Sequence, residues 1–269
     1  MEQSSGPLND HQWPLPPAIL TLTKGNVHVW RASLHQFGTY ADHFYALLDN
    51  DERTRAARFH FERHRTDFVV ARGILRMLLS LYVGLEPQEF RFVFNPFGKP
   101  SLALTPAPVR FNLSHSNKYA LYAFSREREV GIDIEELRPD VAEETRPESF
   151  FSPAEVTTLR ALDPAFKTQA FFDCWTRKEA YIKAVGKGVS LPLDEFSVSL
   201  TPGTPAALLA AADPLELSRW YFKALSPLPN YAAALVVEGN DLEIRYYDLR
   251  LAVEAGQLTV VKEREIQPV

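Results

Sequence analysis

VGIDIEEL at residues 130–137 alternates apolar and acidic side chains, so a strand of period two buries Ile132 and Ile134 and presents Asp133 and Glu135 on its other face. Two neighbouring carboxylates resist joint ionisation unless a cation or a basic partner lies between them. WTRKEAYIKAVGKG at residues 175–188 offers the groups to complete such a site: Lys178, Glu179 and Lys183. On a helical wheel, Phe171, Cys174, Trp175, Ile182 and Val185 gather into one apolar stripe, with Tyr181 at its edge and Lys178 near its middle. A lysine there needs a counter-charge or must snorkel out along its stem. Glu179 and Lys183 share one flank at i, i+4 spacing, which alone reads as a surface ion pair. Lys178 on the core face and the Asp-x-Glu strand upstream argue for a site instead.

Outward from these motifs, the order of elements repeats. The first half predicts a strand at 27–34, a long helix from about 63 to 82, a strand at 90–94, a Pro/Gly turn, and strands at 109–113 and 119–124. The second predicts a strand at 130–137, a helix from about 168 to 185, a strand at 196–200, a Pro/Gly turn, and strands at 220–225 and 231–237. VHVWRASL at 27–34 keeps the apolar register of VGIDIEEL but carries Trp30 and Ala32 in place of Asp133 and Glu135. The sequence therefore predicts an α+β fold, a pseudo-dimer of two similar α/β halves, with one metal site near their interface. Residues 1–22, rich in proline, read as an extended arm, 23–125 as the N-terminal half and 126–269 as the C-terminal half.

The first half carries positive charge for a ligand. Arg53, Arg55, Arg58, Arg63, Arg65, Arg72 and Arg76 cluster in its helical region, where guanidinium forks suit phosphate oxygens and i, i+4 partners such as Glu62 and Asp67 offer the plainer explanation. FNLSHS at 111–116 sets Ser114, His115 and Ser116 at a strand end, and FGKP at 97–100 puts Lys99 in a turn. FFSPAE at 150–155 is first a helix start: Ser152 as N-cap, Pro153 at N1 and Glu155 closing a capping box. Gly186 and Gly188 end the second long helix as C-cap residues, and no GxxxxGK[ST] or GxGxxG stretch occurs.

The 269 residues, 46 % of them hydrophobic, suffice for a packed core, and a formal charge of -5 gives no global drive toward nucleic acid or an anionic membrane. The single cysteine, Cys174, reads as a small buried hydrophobe. No signal peptide or membrane span is recognised, so a cytoplasmic protein is expected.

FNLSHS, GIDIEEL, FFSPAE and WTRKEAYIKAVGKG followed by SLPLDEFSV, in this order, resemble the Sfp-type 4′-phosphopantetheinyl transferases, in the branch with a WxxKEA motif. The resemblance spans roughly residues 25–240. It implies a pseudo-dimer with coenzyme A and Mg²⁺ in the cleft, and transfer of 4′-phosphopantetheine to a serine of an apo acyl or peptidyl carrier protein, releasing 3′,5′-ADP. It implies Asp133, Glu135 and Glu179 as magnesium ligands, Lys183 beside the transferred phosphate, Lys178 as the lysine paired within the motif, and Lys99, Ser114 and His115 at coenzyme A phosphates. The family's arginine on the first long helix falls at Asp67 in an alignment anchored on GILR, with Arg65 two residues away, which leaves Arg58 and Arg63 as substitutes. The expected base is Glu179, directly or through a metal-bound water, with Glu155 as the alternative. A catalytically silent coenzyme A-binding module and another metal-dependent phosphotransferase are the competing readings; the joint presence of Asp133, Glu135, Lys178, Glu179 and Lys183 opposes the first. With both halves of the site in one chain, a monomer is expected.

Overall fold

The computed structural model describes residues 12–104 and 109–263. In the first half, β1 (Asn26–Ser33) leads through α1 (Leu34–Phe37), α2 (Ala41–Leu47) and α3 (Asn50–Ala56) into the long α4 (Glu62–Val83). A small hairpin of β2 (Phe92–Phe94) and β3 (Pro100–Leu102) and a larger one of β4 (Arg110–Ser116) and β5 (Tyr119–Ser125) follow. The second half runs through β6 (Val130–Glu136), α5 (Pro139–Glu144), α6 (Pro153–Ala161) and the long α7 (Pro164–Val185). It continues with β7 (Ser197–Val198), β8 (Leu208–Ala210), α8 (Glu216–Arg219), and the hairpin of β9 (Trp220–Leu225) and β10 (Tyr231–Glu238). Both long helices have 22 residues and end on a left-handed glycine, Gly84 at φ 77° and Gly186 at φ 75°. That conformation is open to glycine at little steric cost and releases the chain from the helix.

The duplication is visible in the sheets. β1, β5 and β4 lie in that order, antiparallel, and β6, β10 and β9 repeat it. Each sheet packs one face on its own long helix: Trp30, Ala32 and Tyr122 with the α4 residues Val70 and Ile74, and Ala232, Ala234 and Val236 with the α7 residues Ala180 and Ala184. The opposite faces meet each other through Val27, Val29, Leu121 and Ala123 on one side and Ile132, Ile134, Leu235 and Val237 on the other. The layers thus run helix, sheet, sheet, helix. β10, covered on both faces, reads as a nearly continuous apolar run for this reason, while β1, equally buried, keeps Asn26, His28 and Arg31 among its apolar residues.

Side chains stitch β4 to β6 where no backbone ladder joins the two sheets. Asn112 Oδ1 accepts from the Ile132 amide at 2.9 Å, and Ser116 Oγ accepts from the Glu136 amide at 3.1 Å. Beyond residue 240 the chain, assigned by sequence to the second half, returns to the first. There β11 (Glu243–Asp248) pairs in parallel with β1, and β12 (Leu251–Glu254) pairs with β13 (Gln257–Val260). Residues 12–22 of the expected arm carry no helix or strand and lie along this edge, with the Trp13 ring 5.1 Å from Tyr246 and the Asp248 amide donating to Pro14 O at 2.8 Å; residues 1–11 fall outside the described part. No helix among the described residues is long and apolar enough to cross a membrane.

Candidate active site at the seam of the two halves

The site starts from a missing side chain. A Cβ on Gly131 would come within 2.0 Å of the Ala180 carbonyl oxygen and 2.4 Å of the Ala184 amide nitrogen, so glycine is required for the α7 backbone to lie against β6. Two residues along the same face, Asp133 is 2 % exposed and meets Lys183, in the last turn of α7. Lys183 Nζ donates to Asp133 Oδ1 at 2.6 Å and to Ser114 Oγ at 3.0 Å, and Ser114 Oγ itself donates to Asp133 Oδ1 at 2.7 Å. The other carboxylate oxygen, Asp133 Oδ2, is buried and has no hydrogen-bond partner.

Glu135 and Glu179 stand beside it. Burial, then the charge of Asp133, raises the Glu135 carboxyl above its ordinary value, against a Ser116 Oγ bond of 2.7 Å that lowers it. Burial and Asp133 likewise raise Glu179, while Lys183 pulls it down. Close like charges and an orphaned buried oxygen are costly in an apolar setting and mark a place prepared for added positive charge. Among the described residues no three His, Cys, Asp or Glu side chains converge as a ready ion cage. Magnesium does not need one, since it is held by one or two carboxylates together with substrate phosphates and waters. The donor set of hard oxygens around Asp133 Oδ2 therefore fits that ion.

Next to the carboxylates, a cavity of about 610 Å³ is walled by Arg55, Arg63, His64, Asp67, His115 and Arg138, among others. Arg63 donates to Asn117 Oδ1, and its Nε lies 3.8 Å from Asp67 Oδ2. Burial raises the Asp67 carboxyl, with Arg63 and the histidines opposing. The protein packed around His115 pushes its imidazole below the usual value, with Lys183 and His64 acting in the same direction and Asp67 and Asp133 against it. Arg58 lies on an adjoining cavity of about 700 Å³, to which Arg55, Phe92, Phe94 and Pro100 also contribute. Arg55 was named from the sequence only as one of the arginine cluster, and His64 was not named at all; its signal was position alone, beside Arg63.

Three expected site residues sit elsewhere. Lys178 has no exposed surface, commits its ammonium to Glu155 Oε2 at 2.8 Å and to the carbonyls of Leu193 and Phe196 at 2.6 Å each, and lines neither cavity. Glu155 closes the expected capping box, accepting from the Ser152 amide at 2.8 Å, and its second oxygen accepts from the Val198 amide at 2.7 Å. With 2 % exposure, both of its oxygens are taken up by the cap, the Val198 amide and Lys178. Lys99 is not among the residues lining either cavity, although Gly98 and Pro100 beside it line the one with Arg58, and it donates to Glu129 Oε2 at 2.6 Å and to Ala184 O at 2.8 Å. Ser114 belongs to the Asp133 and Lys183 group, not to the cavity wall. Of the arginines, Arg72 and Arg76 are internal struts on Glu52, both at 2.6 Å.

Residues 129–236 match the 4′-phosphopantetheinyl transferase superfamily, and residues 28–127 match the family described as 4′-phosphopantetheinyl transferase, N-terminal. The chain is 41 % identical over 239 residues to the 4′-phosphopantetheinyl transferase HetI of Nostoc sp., covering 88 % of this chain and 98 % of that one. It is 35 % identical over 202 residues to the 4′-phosphopantetheinyl transferase Sfp of Bacillus subtilis, covering 74 % and 86 %. The chain belongs to the Sfp-type 4′-phosphopantetheinyl transferases.

Proposed function

We propose that this chain moves the 4′-phosphopantetheine group of coenzyme A onto a serine of an apo acyl or peptidyl carrier protein, releasing 3′,5′-ADP in a magnesium-dependent reaction. The observation that carries the reading is Asp133, tied to Lys183 through one oxygen and left with a buried, unpartnered second oxygen, beside Glu135 and Glu179 whose carboxyls are raised. Asp133, Glu135 and Glu179 would hold the magnesium ion, which when bound offsets charge on the diphosphate.

The chain's own groups account for the rest. The carrier serine Oγ attacks the pantetheine-side phosphorus, the bond from that phosphorus to the bridging oxygen breaks, and 3′,5′-ADP leaves with the bridging oxygen. Catalysis of such a transfer is mainly positioning and charge stabilisation, for which Lys183 supplies a cation anchored by Asp133. Glu179, on the helix face beside Lys183 and Asp133, takes the serine proton. The cavity of Arg55, Arg63, His64 and His115 takes the remaining phosphate of coenzyme A, with Arg58 on the adjoining wall. Carboxylates and cationic cavity come from one chain, so a monomer, acting in the cytoplasm, suffices.

The test is intact-protein mass spectrometry of an apo acyl carrier protein incubated with coenzyme A, magnesium and this protein. A gain of one phosphopantetheine, lost on chelation and with Asp133→Ala, is expected. No gain with several acyl and peptidyl carriers, from folded protein that binds coenzyme A, would return the reading to a silent module.

A further inference from the structure

The turn between β2 and β3 reaches across the seam and grips the end of the catalytic helix. Ala184 O is among the last carbonyls of α7, which lack an intrahelical donor. Lys99 Nζ supplies one at 2.8 Å, while holding Glu129 Oε2 at 2.6 Å and approaching Val130 O at 3.4 Å. From the same turn, Asn95 Nδ2 donates to Gly186 O at 2.7 Å. A Cβ on Gly186 would stand 2.9 Å from Lys99 Cδ and 3.3 Å from Asn95 Nδ2, so this glycine both ends the helix and leaves room for the clasp.

The two elements gripped are those that carry the reacting charges. Val130 is three residues before Asp133 on β6, and Ala184 follows Lys183 on α7. We infer that Lys99, with Asn95, is a positioning residue, which locks the last turn of α7 against the start of β6 and so sets the contact between Lys183 and Asp133. This rests on the proposed transfer for its catalytic consequence, and on geometry alone for the clasp. Lys99 then acts without touching coenzyme A, in contrast to the phosphate contact expected from the sequence. Misplacing catalytic charges by a fraction of an ångström lowers turnover while leaving remote substrate binding intact.

The test pairs Lys99→Met with Glu129→Gln. Glu129 also lies 3.3 Å from Arg110 Nε, and as an acid it repels any nearby phosphate. In a clasp both variants act in the same direction: kcat falls about tenfold, and KM for coenzyme A stays within about twofold. A Lys99→Met variant that raises KM while Glu129→Gln lowers it assigns Lys99 to a phosphate and overturns the inference. Amide hydrogen exchange over residues 182–187 reads the clasp without turnover, and is expected to quicken in both variants with the rest of α7 still protected. Unchanged exchange there overturns the clasp whatever the kinetics. A wild-type protein that transfers nothing overturns the proposed function and leaves the clasp to be decided by exchange.

Discussion

The two halves use one strand-and-helix seat for opposite ends. In the second half, Gly131, Asp133 and Glu135 of β6 face α7, and the seat holds a lysine, three carboxylates and an oxygen without a partner. In the first half the corresponding residues of β1 are His28, Trp30 and Ala32, and the seat against α4 is filled by rings. Trp30 Nε1 donates to Tyr82 Oη at 2.7 Å, His28 Nδ1 lies 3.0 Å from the same oxygen, and Tyr247 packs 5.0 Å from Trp30. Where β6 tolerates only glycine under α7, β1 accommodates two rings under α4. The copy packed with aromatics contributes stability, and the copy left with uncompensated charge contributes chemistry, at a cost in stability that the rest of the fold absorbs.

Breaking the charged seat gives the largest expected effect. Asp133→Ala removes the anchor of Lys183 and the orphaned oxygen together, and the rate of phosphopantetheine transfer should fall by about three orders of magnitude. The melting temperature should hold or rise, since mutual repulsion with Glu135 and Glu179 is relieved. A variant with near-normal turnover would remove Asp133 from the chemistry.

Gly131→Ala tests the geometry that separates the halves. The added methyl would enter the α7 backbone, so β6 and α7 must part, and unfolding in urea should show a loss of about 3 kcal/mol. His28→Ala at the matching position of β1 deletes a ring and should leave a cavity instead. A Gly131→Ala protein as stable as the wild type would mean that the close approach of α7 to β6 is not as described.

Much of this contrast was legible in the sequence, because it rests on local periodicity. The alternation in VGIDIEEL marked Ile132 and Ile134 as buried, and they fill the layer between the sheets; the wheel found Lys178 on a core face in need of a counter-charge. Ser152, Pro153 and Glu155 announced their capping box in three-residue spacing. What stayed hidden depends on tertiary proximity. Nothing local says that Glu155, already explained as a cap, is also the partner of Lys178, or that Lys99 meets Ala184 O. The short run at 243–248 gave no sign of pairing with β1, a partner more than 200 residues earlier. Helices α1 to α3 were likewise too short to show a period.

The aromatic seat makes its own prediction, in acid. His28 is fully buried, Nε2 has no partner, and its imidazole is pushed down to about 4, first by burial and then by Arg245, with Glu243 opposing. The folded-state value lies below the unfolded one, so the neutral ring favours the native state above about pH 6.5, and that contribution is lost as pH falls toward about 4. At about pH 5 linkage gives a loss near 2 kcal/mol for this group. Urea melts of the wild type and His28→Leu at neutral pH and at about pH 5 isolate it: the wild type should lose about 2 kcal/mol more than the variant. Equal losses would mean that His28 takes up its proton without opening the seat.

The smallest effect is expected at Arg55, where the comparison extends from the seats to the cavity beside them. Arg55 is exposed, lines both the cavity with His115 and the one with Phe92, and its guanidinium lies 5.3 Å over the Phe68 ring. It touches none of the groups around Asp133, so Arg55→Ala should raise KM for coenzyme A by about five- to tenfold with kcat little changed. As an exposed cation on a phosphate its contribution should fade with salt, so the ratio of wild-type to variant KM should shrink as ionic strength rises. A fall in kcat at constant KM would instead tie Arg55 to the placement of α3 and α4, and would leave Arg63, His64 and His115 to hold the phosphate alone.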